Sequence, residues 1–89
     1  MKTIYKYEIP VGGGEVNLPD DAKILSVGAQ GKSLFLWAEV SPERSEYPRH
    51  IEVFGTAHQI TCDVGISREF IGTAFMGPLV WHVYEYTGV

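Results

Sequence analysis

The sequence predicts an all-β fold: a small antiparallel sandwich or barrel of about six to seven short strands, with at most one short helical turn. Three observations carry this. Apolar and polar residues alternate with a period of two over much of the chain. Glycine or proline interrupts the alternation every several residues. No stretch keeps the i, i+3, i+4 apolar spacing of an amphipathic helix for three turns.

Thr3 to Ile9 is the first predicted strand, with Thr3, Tyr5, Tyr7 and Ile9 on one face and Ile4, Lys6 and Glu8 on the other. Pro10 ends it, because proline has no N–H to give to a ladder. Gly12-Gly13-Gly14 then permits a tight reversal into Glu15 to Leu18, a short strand that Pro19 closes before Asp20 and Asp21 turn the chain again. Ala22 to Ala29 is the next strand, joined through Gln30-Gly31-Lys32 to the most apolar one, Ser33 to Val40. There Leu34, Leu36, Ala38 and Val40 share one face while Phe35 and Trp37 take the other, so neither is a plain solvent face. Ser41 to Pro48 has two prolines, three charges and no alternation, and reads as a loop. Arg49 to Ile60 alternates once more, with Gly55 marking a bulge, a bend or a close backbone approach. Asp63 to Glu69 is a turn or at most one helical turn, and Phe70 to Met76 and Leu79 to Tyr86 form a final hairpin around Gly77-Pro78.

Eighty-nine residues make one domain, 1–89, and a chain this short buries only about 60–65% of the surface its unfolded form exposes. Its 45% hydrophobic and 20% charged content is that of a folding chain. Several strands are apolar on both faces, which a thin two-layer fold covers on one side only, so a homo-oligomer is expected. The net charge of −4 argues against a general nucleic-acid binder, which needs a basic stripe. A small anionic ligand held by a few converging cations stays open. The opening residues lack a signal-like apolar run, and nowhere are there eighteen consecutive apolar residues, so the expectation is a cytoplasmic chain without a membrane span.

Candidate chemistry is sparse. His50 and His58, eight residues apart, would lie roughly 26 Å apart on one continuous strand, too far to share a metal, and no metal site is expected. Cys62 cannot form an intrachain disulfide and is expected to be buried and inert. The serines lack the strand, turn and helix setting of a nucleophile elbow, and the glycine triplet is followed by neither a helix nor a Lys-Ser/Thr pair. Gly55-Thr56-Ala57-His58 is more suggestive: glycine lets a ligand approach the backbone, and Thr56 and His58 on one side of a strand offer a hydroxyl and an imidazole. A bulge with a hydrogen-bonded histidine explains the same residues. Trp37, with Trp81, Tyr84 and Tyr86, could stack on a base, a contact worth about 1–3 kcal/mol. Arg44, Arg49 and Arg68 lie in or beside predicted loops, where a guanidinium fork suits phosphate. The candidate ligand-binding set is therefore Trp37, Arg44, Arg49, Thr56, His58, Arg68 and His82, with no catalytic residue and no cofactor.

Ile4-Tyr5-Lys6-Tyr7, Ala22 to Val27, Leu36-Trp37-Ala38, Gly55 to His58, Phe70-Ile71-Gly72-Thr73 and Leu79 to Glu85 together resemble a family of short phage and prophage proteins of unknown function, over nearly the whole chain. The resemblance implies source and fold unity; the further expectation of an anti-defence sponge comes from an analogy between classes, with small oligomeric phage proteins that bind immune nucleotides, and not from matched residues. Such a protein would sequester a nucleotide-type immune signal in the host bacterial cytoplasm, without catalysis, in pockets between subunits. The alternative is a protein–protein interaction module, either an inhibitor of a host enzyme or a minor virion or assembly component.

Overall fold

In the computed structural model, which describes residues 1–88, the alternating stretches become seven strands. They are β1 (Thr3–Ile9), β2 (Gly13–Pro19), β3 (Lys23–Gln30), β4 (Ser33–Val40), β5 (Glu46–Gly55), β6 (Ser67–Met76) and β7 (Leu79–Gly88). Two antiparallel sheets result, ordered β1-β4-β3 and β2-β5-β7-β6, and none of the described residues is helical. This is the predicted all-β sandwich. The sheets meet at both sides, β1 lying beside β2 and β3 beside β6.

The core is the inward half of each alternation. From the three-stranded sheet come Ile9, Leu34, Leu36, Ala38 and Val40, and from the four-stranded sheet Val16, Leu18, Ile51, Ala74 and Val83, all buried. Fully burying an aliphatic side chain of this size contributes about 1.5–3 kcal/mol. These layers are what hold the two sheets face to face.

The glycine triplet is a constrained crossing between sheets rather than a loose connector. Gly13 has φ +91° and pairs closely with β5, where a Cβ would stand 2.7 Å from the Ile51 carbonyl oxygen. Only glycine accepts both conditions. At the far side of the sandwich, Gly72 of β6 lets Val27 of β3 approach, its virtual Cβ lying 3.1 Å from Val27 Cγ2.

Three sequence expectations change. The predicted loop up to Pro48 is shorter, because Glu46-Tyr47-Pro48 already pairs with β2. Pairing of β5 with β7 begins only at His50, so Pro48 sits where β5 has a neighbour on one side, a position proline tolerates. At its other end β5 stops at Gly55, five residues before the predicted end at Ile60. Ala57 takes φ +72°, and the His58 N–H donates to the Gly55 carbonyl at 3.0 Å, closing a turn. Cys62, expected to be buried, is exposed in the Thr56 to Ile66 connection, where its thiol contacts the Ile60 carbonyl at 3.4 Å. That connection runs over the surface from β5 past β7 to β6, and so it has no core to enter.

The turn into β3 is fastened to the end of β4. Asp21 accepts from the Ser41 hydroxyl at 2.5 Å and from the Ser41 amide at 3.2 Å, while Asp20 pairs with Arg44. These donors hold both carboxyls below the usual range, Asp20 chiefly through Arg44 and Asp21 chiefly through Ser41.

Candidate functional site

The outer face of the four-stranded sheet is built by register. Val83 faces the core, so Tyr84 and His82 face out, and their partners on β5, Glu52 and Phe54, face out with them. On β6 the alternation is broken. Phe70 pairs with Tyr84 and Gly72 with Val83, leaving Ile71 as an extra residue. This bulge puts Phe70 on the same side as Thr73 and Phe75 although their numbers differ in parity.

The result is a band of aromatic rings. Phe54 and Phe70 both stand edge-on to Tyr84, with centroids 5.8 and 5.2 Å away, and Tyr86 packs beside His50 at 5.7 Å. Phe70 and Phe75 remain 57% and 71% exposed. Single exposed apolar residues are ordinary on a protein surface, whereas large contiguous apolar patches mark interaction sites.

Beside this band lies a histidine and threonine cluster. His82 is held by two hydroxyls, Thr56 Oγ1 2.9 Å from Nε2 and Thr73 Oγ1 3.1 Å from Nδ1. His58 folds back on its own turn. Its Nδ1 accepts the Gly55 N–H at 3.0 Å, and its ring fills the space a Gly55 side chain would need. The close backbone approach that the glycine permits is thus used by His58 itself. Because β5 has already ended, Thr56 and His58 do not share a strand face as expected from sequence; Thr56 meets His82, and His58 packs on Trp81 at 6.4 Å.

The three arginines do not converge. Arg44 forms a fork with Asp20 on an exposed loop. Arg49 points into the end of the sandwich, donating to Glu85 at 2.5 and 2.8 Å and to the Ala22 carbonyl at 2.8 Å, which ties both sheets together. Arg68 pairs with Glu52 at 2.7 Å, reaches the Thr61 carbonyl and lies over the Phe54 ring. Each guanidinium is therefore occupied by a carboxylate of the same chain.

Trp37 lies on the other sheet. It is half-buried on the outer face of β4, with Phe35 beside it and its indole across Gly28. The structure thus brings Thr56 to His82, turns His58 instead onto Trp81 and its own turn, puts Arg68 at the margin of the aromatic band, and leaves Trp37, Arg44 and Arg49 elsewhere. Among the described residues no group of three or more His, Cys, Asp or Glu is placed to hold a metal.

Sequence reasoning missed Phe54, Phe70 and Phe75, and the carboxylates Glu52 and Glu85 that take the arginines. A signal for Phe70 existed in Gly72, since glycine within a strand often accompanies a bulge. Against known families, residues 1–88 match a model described as a domain of unknown function, DUF7352, and the chain belongs to that family. No curated protein and no solved structure matches it.

Proposed function

We propose that the chain is a non-catalytic interaction module that pairs with a second copy of itself through the outer face of the four-stranded sheet. The observation that supports this is the outward cluster of half-buried Phe54 and Tyr84 with exposed Phe70, together with exposed Phe75 further along the same face of β6. Four strands of up to ten residues make a face of roughly 19 by 33 Å, about 600 Å² per copy. Two such faces bury roughly 1,200 Å², the lower bound of a specific interface.

Charge does not oppose the pairing locally. Glu52 is matched by Arg68, and the outward Glu15 stands on β2, across the sheet from β6. Inhibition of a host enzyme or a place in a larger assembly would be uses of this same module.

Nucleotide sequestration is the competing reading. It requires converging cations for phosphate; each arginine fork already holds a carboxylate, and the two lysines without a partner, Lys23 and Lys32, stand at opposite ends of β3, so the interaction reading is favoured. Sedimentation equilibrium is the test. A dimer with a dissociation constant of about micromolar order is expected, and a monomer at roughly 100 µM overturns the proposal. Calorimetric titration with cyclic di- and trinucleotides and cyclic ADP-ribose isomers separates the readings. Heat of binding to any of them moves the assignment to sequestration.

A further inference from the structure

The outer face of the four-stranded sheet is raised along one edge and hollow along the other. On β6 stand the exposed rings of Phe70 and Phe75. At the start of β2 there are instead three glycines, Gly12 to Gly14, and with Glu52 and Phe54 of β5 they line an open hollow of about 310 Å³. A strand edge without side chains lets another group come close to the backbone.

The strand register puts ring and hollow at one height. Gly13 pairs with Glu52, Glu52 with Tyr84 and Tyr84 with Phe70, so a single row across the sheet runs from the hollow to the ring. The next outward row runs Glu15, His50, Tyr86, Arg68. It begins with an anion and ends with a cation. Glu15 is exposed, and Arg68 spends three of its five N–H groups on Glu52 and Thr61, which leaves two for another acceptor.

Two copies that meet face to face as a closed pair are related by a two-fold axis lying between the sheets, and its direction decides what meets what. An axis across the strands lays each strand on its own counterpart. The ring-bearing edges then collide, the two anionic β2 edges face each other, and the hollows stay empty. An axis along the strands keeps height and exchanges the edges, so each row meets itself reversed. Phe70 then comes over the partner's Gly13 and Arg68 over the partner's Glu15, each twice per dimer. Aligned sheets cross at about 30°, which displaces the sheet edges by roughly 4 Å, less than the ~7 Å between successive outward rows.

We infer, resting on the self-pairing proposed above, that the dimer axis runs along the strands, so that the β6 edge of each copy seats in the glycine hollow of the other and Arg68 meets the partner's Glu15. The hollow takes the ring, and the charges at the rim fix the orientation.

Sedimentation equilibrium of charge variants tests the axis. Glu15→Gln lowers the net negative charge, which by itself favours association, yet it removes two ion pairs per dimer, and the dissociation constant is expected to rise about 5-fold. Glu8→Gln makes the same change of charge on the outer face of the other sheet, where Glu8 pairs with Phe35, and is expected to leave the constant equal or slightly lower. Carbodiimide coupling of an Arg68→Lys chain is expected to join Glu15 to the introduced lysine, read by peptide mass. Within one chain these positions lie three strand spacings apart, about 14 Å, beyond the combined reach of the two side chains, so that product forms only between copies. A Glu15→Gln dimer as tight as the parent or tighter, or a coupled dimer without that linkage, overturns the axis and leaves self-pairing standing. A parent chain that stays monomeric at roughly 100 µM overturns both.

Discussion

The two sheets carry aromatic residues on their outer faces, yet they treat them in opposite ways. On the three-stranded sheet, Phe35 lies under the Lys6 ammonium at 4.6 Å, and the indole of Trp37 reaches across Gly28, so both rings are half-buried by their own strand neighbours. On the four-stranded sheet Arg68 covers Phe54 in the same way, but Phe70 and Phe75 stand more than half exposed, and the ring beside Phe70 is Tyr84 rather than a charged stem. A long amphipathic side chain lets an apolar ring live in water, because its methylenes cover the ring while its charge stays solvated. Where that cover is missing, the ring is left for another surface.

The largest expected effect follows from placing a charge on each face in turn. Phe70→Glu should raise the dimer dissociation constant about 100-fold, near 2.7 kcal/mol, as for a central contact residue. Phe35→Glu should leave association unchanged by sedimentation. Equal effects at the two positions would erase the distinction between the faces.

Next in size is Trp37→Ala, which removes a ring that serves only its own subunit. A loss of about 2 kcal/mol in urea denaturation is expected, with no change in association. A smaller effect should follow Arg68→Ala at the margin of the aromatic band. Its guanidinium tethers the Thr61 carbonyl, so limited proteolysis between Thr56 and Ile66 should run about 10-fold faster.

The smallest effect concerns the turn before β3, which serves neither face. Asp20 and Asp21 have depressed folded pKa values, so the stability they add is present above the unfolded carboxylate range and is lost as pH falls through the folded values. Melting temperature should therefore drop on acidification below about pH 4, less steeply in Asp20→Asn/Asp21→Asn, while dimerisation of the folded chain shows no such difference.

How much of this was readable beforehand depended on register. The alternation of β4 survives intact in the structure, buried at Leu34, Leu36, Ala38 and Val40, because that strand is central and unbulged. β6 could not be read the same way. Its extra residue at Ile71 flips the face of everything before it, and strict period-two reasoning places Phe70 inside. The end of β5 was misjudged because Ala57 adopts a left-handed conformation that its residue type does not advertise. The arginines looked free because Glu52 and Glu85 are 16 and 36 residues from their partners, separations that pairing of strands closes and sequence spacing does not. Thr56 and His82, 26 apart, met for the same reason, this time in favour of the predicted set.

The internal matching of arginines also sets how the molecule responds to ionic strength. With its strongest cations neutralised at home, a chain that paired as proposed would meet its copy as a body of charge −4, and the two would repel over roughly a Debye length, about 10 Å at 0.1 M electrolyte. Added salt shortens that reach and leaves aromatic contacts intact, so self-pairing should tighten as the buffer grows more concentrated. Polyanion-binding proteins behave in the reverse sense, losing affinity as released counterions become less valuable.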